Sequence, residues 1–206
     1  MKLKKLEQSG FIFETDKGFR LAIDVGNKTP ISILENIHVD AMIVSHIHGD
    51  HFSLEQIEKL APKKLYVSDE CIKTINKDIS PIELVKIKAD SQIKIEDIDV
   101  SIFETDHGPN TSFLLKENLG FLFTIDGEKI YHPGDIFYES GIDVTNLEVD
   151  YVLLPVGTYY TFGPKEAFDF VKKFKKIKKI ISMHYDKTPE TKEEFIKLAQ
   201  GHFAVE

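Results

Sequence analysis

The chain has 206 residues, of which 42% are hydrophobic and 29% are charged, a composition that argues against a disordered protein. That length accommodates a sizeable core, so we expect a single domain spanning 1–206. A formal net charge of -8 disfavours a general nucleic-acid binder, because so acidic a chain has no overall field that attracts phosphate backbones. The only cysteine, Cys71, excludes an intrachain disulfide and leaves histidines and carboxylates as the available metal ligands.

Residues 1–10 mix lysines with leucines and lack the apolar run of a signal peptide. No stretch of the chain approaches the roughly 20 apolar residues that a membrane-spanning helix requires. The sequence is therefore typical of a cytoplasmic protein that acts away from the membrane.

Short apolar and β-branched runs, separated by turn residues, dominate the first two-thirds of the chain. Two such runs flank Asp16-Lys17-Gly18, a turn sequence that predicts a β-hairpin. Between residues 82 and 132 the pattern is almost entirely that of strands, with Asp126-Gly127 as a further turn. The predicted strands of this part cover 11–15, 19–23, 41–44, 64–67, 93–95, 98–102, 112–115, 120–125 and 129–131.

Helices are predicted among and after these strands. Ser53, with Gln56 three residues later, forms the pattern of a capping box at the start of a helix that ends before Pro62. A second helical segment covers 70–76. The final third predicts strands at 151–154 and 179–182 and helices at 165–174 and 190–200. Helical material that closes each strand-rich half predicts an α+β fold of four αββα layers, with two packed sheets covered by helices.

The apolar run 41–44 is followed at once by Ser45-His46-Ile47-His48-Gly49-Asp50-His51. Imidazole nitrogen is a preferred ligand of zinc, iron and similar ions, and a carboxylate is a harder ligand that helps to hold a second ion. We expect Gly49 to supply backbone freedom for a tight bend. A solvated polar loop is the alternative, but four residues of ligand type at this spacing favour metal binding.

The run His46-x-His48-x-Asp50-His51 at a strand end resembles the hallmark of the metallo-β-lactamase superfamily. Three further motifs stand in the order expected of that family: His107 after the strand 100–103, Asp135 after 129–131 and His184 after 179–181. Taken singly, each of these three residues also suits a loop, a turn or a strand end. Asp24 matches the family's early strand-end aspartate, which supports the site without binding metal.

The resemblance implies the metallo-β-lactamase fold and a site for two divalent metal ions, with zinc favoured and manganese or iron as alternatives. It implies that His46, His48 and His107 bind one ion, that Asp50, His51 and His184 bind the other, and that Asp135 bridges both. Two such ions would hold a hydroxide that attacks a small ester, lactone or phosphodiester. Asp50 and Asp135 are the candidate catalytic residues, because either carboxylate could pass a proton to the leaving group.

The later motifs resemble a narrower branch, the ascorbate-6-phosphate-lactonase-like hydrolases. The resemblance lies in residues 154–157, 160–167 and 183–185. In that branch the loop that matches Tyr159–Gly163 helps to line the substrate pocket. The resemblance therefore makes Tyr159, Tyr160 and Thr161 candidates for substrate contact.

Members of that branch commonly carry Gly-His-Ser where this chain has Glu7-Gln8-Ser9. Gln8 can donate and accept hydrogen bonds, but it cannot titrate as histidine does, so lactonase activity itself is not inferred. His132 suits either an acid or hydrogen-bond donor of the site or a structural residue at a strand end. His38 and His202 have no motif context and are predicted at the surface, and Cys71 is predicted to be a small buried hydrophobe.

The alternatives are an RNA-processing phosphodiesterase, an iron-dependent oxidative member of the superfamily, and a non-enzymatic protein that binds metal or a ligand. The lysines between 172 and 179 are interpreted as the solvated face of an amphipathic helix, whose apolar face carries Ala167, Phe168, Val171 and Phe174, and not as an RNA-binding patch. We expect a small-molecule substrate, anionic substrates included, with nucleic acid disfavoured and no membrane partner. A homo-oligomer is left open.

Overall fold

The computed structural model describes residues 1–108, 115–138 and 140–206. They divide into unit 1, which comprises 1–89 and 115–117, and unit 2, which comprises the described parts of 90–114 and 118–206. The strands are β1 (Lys2–Lys5), β2 (Phe11–Glu14), β3 (Arg20–Ile23), β4 (Ala41–Ile43), β5 (Lys64–Val67), β6 (Glu83–Lys86), β7 (Ser91–Ile95), β8 (Ile98–Glu104), β9 (Leu119–Ile125), β10 (Glu128–His132), β11 (Glu148–Pro155) and β12 (Lys176–Met183). The helices are α1 (Ile31–Leu34), α2 (Leu54–Leu60), α3 (Asp69–Thr74), α4 (Pro164–Val171) and α5 (Pro189–Ala199).

Unit 1 contains a six-stranded sheet in the order β1-β2-β3-β4-β5-β6. The pairs β1–β2 and β2–β3 are antiparallel, and the strands from β3 to β6 are parallel. The predicted hairpin is confirmed, with Phe11 opposite Ile23 and Glu14 opposite Arg20. An apolar core of this unit contains Ala22, Met42 and Leu65 from neighbouring strands, together with Ile57 of α2.

Unit 2 contains the second six-stranded sheet, in the order β12-β11-β10-β9-β8-β7. Strands β7 to β10 pair antiparallel, whereas β10, β11 and β12 run parallel. Its core contains Tyr131, Val152 and Ile180 from the three parallel strands, and Phe170 and Phe195 from the two helices. Burial of these apolar side chains is the main favourable contribution to folding of the unit.

Of these seventeen described strands and helices, the sequence predicted fourteen within a few residues of their bounds. It missed β1, which is mostly lysine, and α1, which is a single turn. Strand β6 lies in the range 82–132, which was predicted to be mostly strand, but it was not predicted as a separate element. The predicted strand 112–115 lies outside the described residues except for Leu115. His38 and His202 are exposed, as predicted. Within the ranges that the structure describes, no helix is both long and apolar enough to cross a membrane.

The predicted capping box at Ser53 is wrong. Ser53 is the N-cap residue of α2, but its side chain makes no capping hydrogen bond. The Gln56 amide instead donates to the carbonyl oxygen of Thr29, at 3.2 Å. A buried amide satisfies its hydrogen bonds wherever an acceptor is available, and here a tertiary acceptor replaces the local one.

The interpretation of the lysine run as one face of a helix is also wrong. Helix α4 ends at Val171, so Lys172, Lys173 and Lys175 lie in the turn that follows it. The other three lysines, Lys176, Lys178 and Lys179, lie on β12. Phe174 is buried beyond the end of the helix, in the core of unit 2.

The buried thiol of Cys71 leads to a test of the unit 1 core. Burial raises the pKa of this thiol from 9.0 to about 12, so the thiol stays protonated at neutral and mildly alkaline pH. Because the thiolate is the reactive form, we expect a thiol reagent at pH 8 to modify the folded protein very slowly and the guanidinium-unfolded protein rapidly. The measurement is the absorbance of the released reagent group over time, with Cys71→Ala as the background control. Rapid stoichiometric labelling of the folded chain would show that this core is open to solvent.

Candidate metal centre

The four predicted ligands of the motif run lie close together in unit 1, on the segment that follows β4. His46 Nε2 lies 3.1 Å from His48 Nδ1, and His51 Nε2 lies 4.0 Å from an Asp50 carboxylate oxygen. The rings of His46 and His51 have their centroids 4.1 Å apart. His46 and His51 are fully buried, whereas His48 and Asp50 are partly exposed. The segment therefore concentrates three imidazoles and one carboxylate, and we call it the motif cluster.

The carboxylate of Asp24 orients two residues of this segment, Ser45 and His51. Its buried carboxylate accepts hydrogen bonds from the Ser45 backbone N–H and the Ser45 hydroxyl, both at 2.7 Å, and lies 2.9 Å from His51 Nδ1. When His51 donates its Nδ1 proton to this carboxylate, the lone pair of its Nε2 is left for a metal ion. Asp24 thus lies where the sequence placed a supporting aspartate, at the end of β3.

The Ser45 hydroxyl fixes which ring nitrogen of His46 carries the proton. The Ser45 hydroxyl has one proton, and it donates that proton to Asp24 Oδ2. It therefore accepts from His46 Nδ1, which lies 2.9 Å away, and the lone pair of His46 Nε2 faces His48. Sequence reasoning assigned no role to Ser45, because its function depends on the distant carboxylate of Asp24.

Close backbone packing holds the motif cluster in place. A Cβ atom added to Gly26 would lie 2.1 Å from the carbonyl carbon of Asp50, so no side chain fits there without displacing that backbone. The expectation for Gly49 is wrong, because its backbone is not in the left-handed region. A Cβ atom on Gly49 would instead lie 2.8 Å from the Asn27 amide nitrogen, so this glycine provides space and not conformational freedom.

Gln8 is buried beside the motif cluster. Its amide Nε2 donates to Asp50 Oδ2 at 3.0 Å. Its backbone lies in the left-handed region, with φ of 55°, as do those of Asp24 at 47° and His184 at 60°. Residues other than glycine adopt this region at a cost of order 1 kcal/mol, and such residues cluster at functional sites.

Unit 2 brings the three remote predicted ligands together. His107 follows β8, Asp135 follows β10 and His184 follows β12. Strand β9 is antiparallel to both β8 and β10, and strands β10, β11 and β12 are parallel. Strands β8, β10 and β12 therefore run in the same direction and end at the same edge of the sheet. Asp135 Oδ2 lies 3.4 Å from His107 Nε2 and 3.0 Å from His184 Nε2. We call these three residues the edge cluster.

His184 is packed directly against the loop that follows β11. A Cβ atom on Gly157 would lie 1.6 Å from the His184 carbonyl oxygen, and the Thr188 hydroxyl donates to the Gly157 carbonyl oxygen at 2.9 Å. Sequence reasoning missed both residues as supports of His184. A Gly at a strand end is the only local sign, and it does not reveal which backbone approaches.

The remaining predicted site residues differ in burial and contacts. His132 is fully buried, and its Nδ1 accepts the Gly134 backbone N–H at 3.0 Å, which fits the structural role at the end of β10. Tyr159 and Tyr160 are exposed, at 71% and 52%. Thr161 is buried, and its hydroxyl donates to the Phe162 carbonyl oxygen at 3.4 Å.

Comparison with known proteins identifies the relatives of this chain. Residues 2–184 match the family model described as the beta-lactamase superfamily domain. A metal-dependent hydrolase from Pelotomaculum thermopropionicum is 30% identical over an alignment 202 positions long, gaps included, that covers 92% of this chain and 86% of that protein. A metal-dependent hydrolase from Thermococcus onnurineus is 28% identical over an alignment 206 positions long, gaps included, that covers 90% of this chain and 87% of that protein.

The solved structure of a metallo hydrolase from the hyperthermophilic archaeon Ignicoccus hospitalis has a similar fold. The TM-score is 0.78, with 21% sequence identity, and the match covers 99% of this chain and 93% of that one. Together with the family match, this likeness confirms the fold class predicted from the sequence.

The buried hydrogen bonds of Asp24 predict that replacing its carboxylate by an amide lowers the stability of the protein. Asp24→Asn keeps the shape of the side chain, but it removes the charge and turns an N–H group toward donors. We expect a loss of about 1–3 kcal/mol in the free energy of unfolding, measured by urea denaturation of the metal-free protein. Asp90→Asn is the matched control, because Asp90 also has a left-handed backbone but is exposed, and its expected change is within about 0.5 kcal/mol. Equal effects of the two substitutions would contradict the role of Asp24.

Proposed function

Because the chain belongs to the metallo-β-lactamase superfamily and is a metal-dependent hydrolase, we propose that it uses two divalent cations, preferably zinc, to hydrolyse a small ester, lactone or phosphodiester. The motif cluster and the edge cluster supply the ligands in this proposal. Asp50 and Asp135 are the candidate catalytic residues. The narrower likeness to the lactonase-like branch stays a prediction.

The observation that carries the proposal is the arrangement of the edge cluster. One oxygen of a buried carboxylate, Asp135 Oδ2, lies within 3.4 Å of two imidazole Nε2 atoms from separate loops. A buried carboxylate carries a large desolvation cost unless a cation or strong hydrogen bonds offset it. His107, Asp135 and His184 are also the ligand types that zinc and similar ions select.

The motif cluster fits a cation on independent grounds. The hydrogen bonds of Ser45 and Asp24 use the Nδ1 atoms of His46 and His51, which leaves the Nε2 atoms of both rings for a metal. His46 Nε2 and His48 Nδ1 are 3.1 Å apart, a separation at which two lone pairs repel unless a proton or a cation lies between them. The residues present therefore suit a divalent ion.

Bound divalent cations lower the pKa of water toward about 7 and polarise the substrate oxygen, so the chain needs no separate strong base. The residues of the chain orient the candidate catalytic carboxylates and transfer protons. Gln8 holds one oxygen of Asp50 through the 3.0 Å hydrogen bond and so restricts rotation of that carboxylate. In the proposed reaction Asp50 or Asp135 carries a proton from the attacking water to the leaving group.

The surface of unit 2 supports a small-molecule substrate over RNA. Lysines of the basic run form ion pairs with acidic neighbours, including Lys175 with Glu148 at 2.6 Å and Lys172 with Asp169 at 2.7 Å. Acidic partners lower the positive potential that a lysine run would otherwise present to a phosphate backbone. Tyr159 and Tyr160 are the proposed substrate-contacting residues, since their exposed rings lie on the loop that follows β11.

The first test is the metal content of the purified protein. We expect about two ions of zinc or manganese per chain by elemental analysis, because the two clusters together offer enough ligands for two ions. A content of iron would instead support the oxidative alternative. Failure to bind metal, even after its addition to the folded apoprotein, would contradict the proposal. Metal without turnover of ester, lactone and phosphodiester probes would support the non-enzymatic alternative.

The second test removes one ligand. His107→Ala should lower the metal content by about one ion per chain and reduce turnover of an ester or phosphodiester probe by about 100-fold or more. The matched control is His38→Ala, because His38 is exposed and belongs to neither cluster. Unchanged turnover in the His107 variant would remove that residue from the proposed site.

A further inference from the structure

Asn118 is a buried residue immediately before β9, and its carboxamide contacts two separate segments of unit 2. Its Nδ2 lies 2.7 Å from the Thr105 hydroxyl oxygen and 2.8 Å from the Asp135 carbonyl oxygen. The Thr105 carbonyl oxygen lies further away, at 3.3 Å. A primary amide has two N–H protons, and the two shorter contacts account for both.

These contacts join the segments that carry two members of the edge cluster. Thr105 lies two residues before His107, and its hydroxyl donates to the Pro133 carbonyl oxygen at 2.8 Å. The Thr105 backbone N–H donates in turn to the Asn118 carbonyl oxygen at 3.0 Å. Asn118 and Thr105 therefore tie the start of the His107 loop to the turn 133–135 at two points.

The chemistry of the contacts requires an amide at position 118. Aspartate would place carboxylate oxygens against the carbonyl of Asp135, where a donor is needed. Leucine has a similar volume and offers no donor, so the Asp135 carbonyl would lose this partner.

We propose that Asn118 is a positioning residue of the edge cluster: its carboxamide sets the separation between His107 and Asp135. Asn118 itself binds no metal in this proposal. The inference rests on the proposed function, because metal binding is its readout. Residues that orient metal ligands typically change metal affinity by about 10- to 100-fold when they are replaced.

The competing explanation is that Asn118 only stabilises the fold, as many buried amides do. Gln56 is the matched control for that explanation. It is also a buried amide that donates to a backbone carbonyl oxygen, that of Thr29 at 3.2 Å, and it lies in unit 1 on α2. Gln56→Leu should lower the melting temperature of the apoprotein and leave metal affinity unchanged.

The experiment measures metal affinity of the folded, full-length chain by competition with a chromophoric zinc chelator. We expect Asn118→Leu to weaken zinc binding by about 10- to 100-fold relative to the wild type. Thr105→Val, which removes the hydroxyl, should weaken it in the same direction, and Thr105→Ser, which keeps the hydroxyl, should restore near-wild-type affinity. Melting temperatures of all apoproteins separate this effect from loss of stability.

The outcomes distinguish the positioning role of Asn118 from the proposed metal-dependent function. Wild-type zinc affinity in folded Asn118→Leu would overturn the positioning role and leave the proposed function intact. If that variant does not fold, equal affinities of Thr105→Val and Thr105→Ser would overturn it. Zinc binding that is absent from the wild-type chain itself would overturn both the proposed function and this inference.

Discussion

A buried imidazole that presents a lone pair to a metal ion carries a proton on its other nitrogen, and that buried N–H needs a hydrogen-bond acceptor. In unit 1 this constraint is met by the carboxylate of Asp24, which binds His51 directly and His46 through the Ser45 hydroxyl. The carboxylate is fully buried, and its three hydrogen bonds offset the cost of its desolvation. Which ring nitrogens of His46 and His51 are left for a metal therefore depends on Asp24, a residue that binds no metal in the proposed site.

In unit 2 the corresponding constraint is strand direction. His107, Asp135 and His184 are far apart in sequence, and they meet because β8, β10 and β12 all end at one edge of the sheet. Ligand sites in sheets that contain parallel strands commonly form at such an edge. Backbone contacts then refine the positions, as in the close approach of Gly157 to His184.

Local sequence patterns predicted the elements well where periodicity or turn chemistry was strong, as in the hairpin around Asp16-Lys17-Gly18. They failed where a tertiary partner competed with a local one. The Gln56 amide binds Thr29 instead of capping its own helix, and the lysine run continues past the end of α4 into β12 because the chain re-enters the sheet there. Gly49 was expected to relieve backbone strain, but it relieves crowding by Asn27.

The sequence by itself determined which residues can serve as ligands, because metal preference belongs to the side chain and the spacing from His46 to His51 keeps those residues in one segment. It also determined the family, through motifs that stand in order along the chain. Only the tertiary structure decided which residues support those ligands. Asn118 and Asp135 are 17 positions apart, and Ser45 and Asp24 are 21 apart. Their contacts arise from chain reversal and strand pairing, and no local pattern records which distant group will lie opposite.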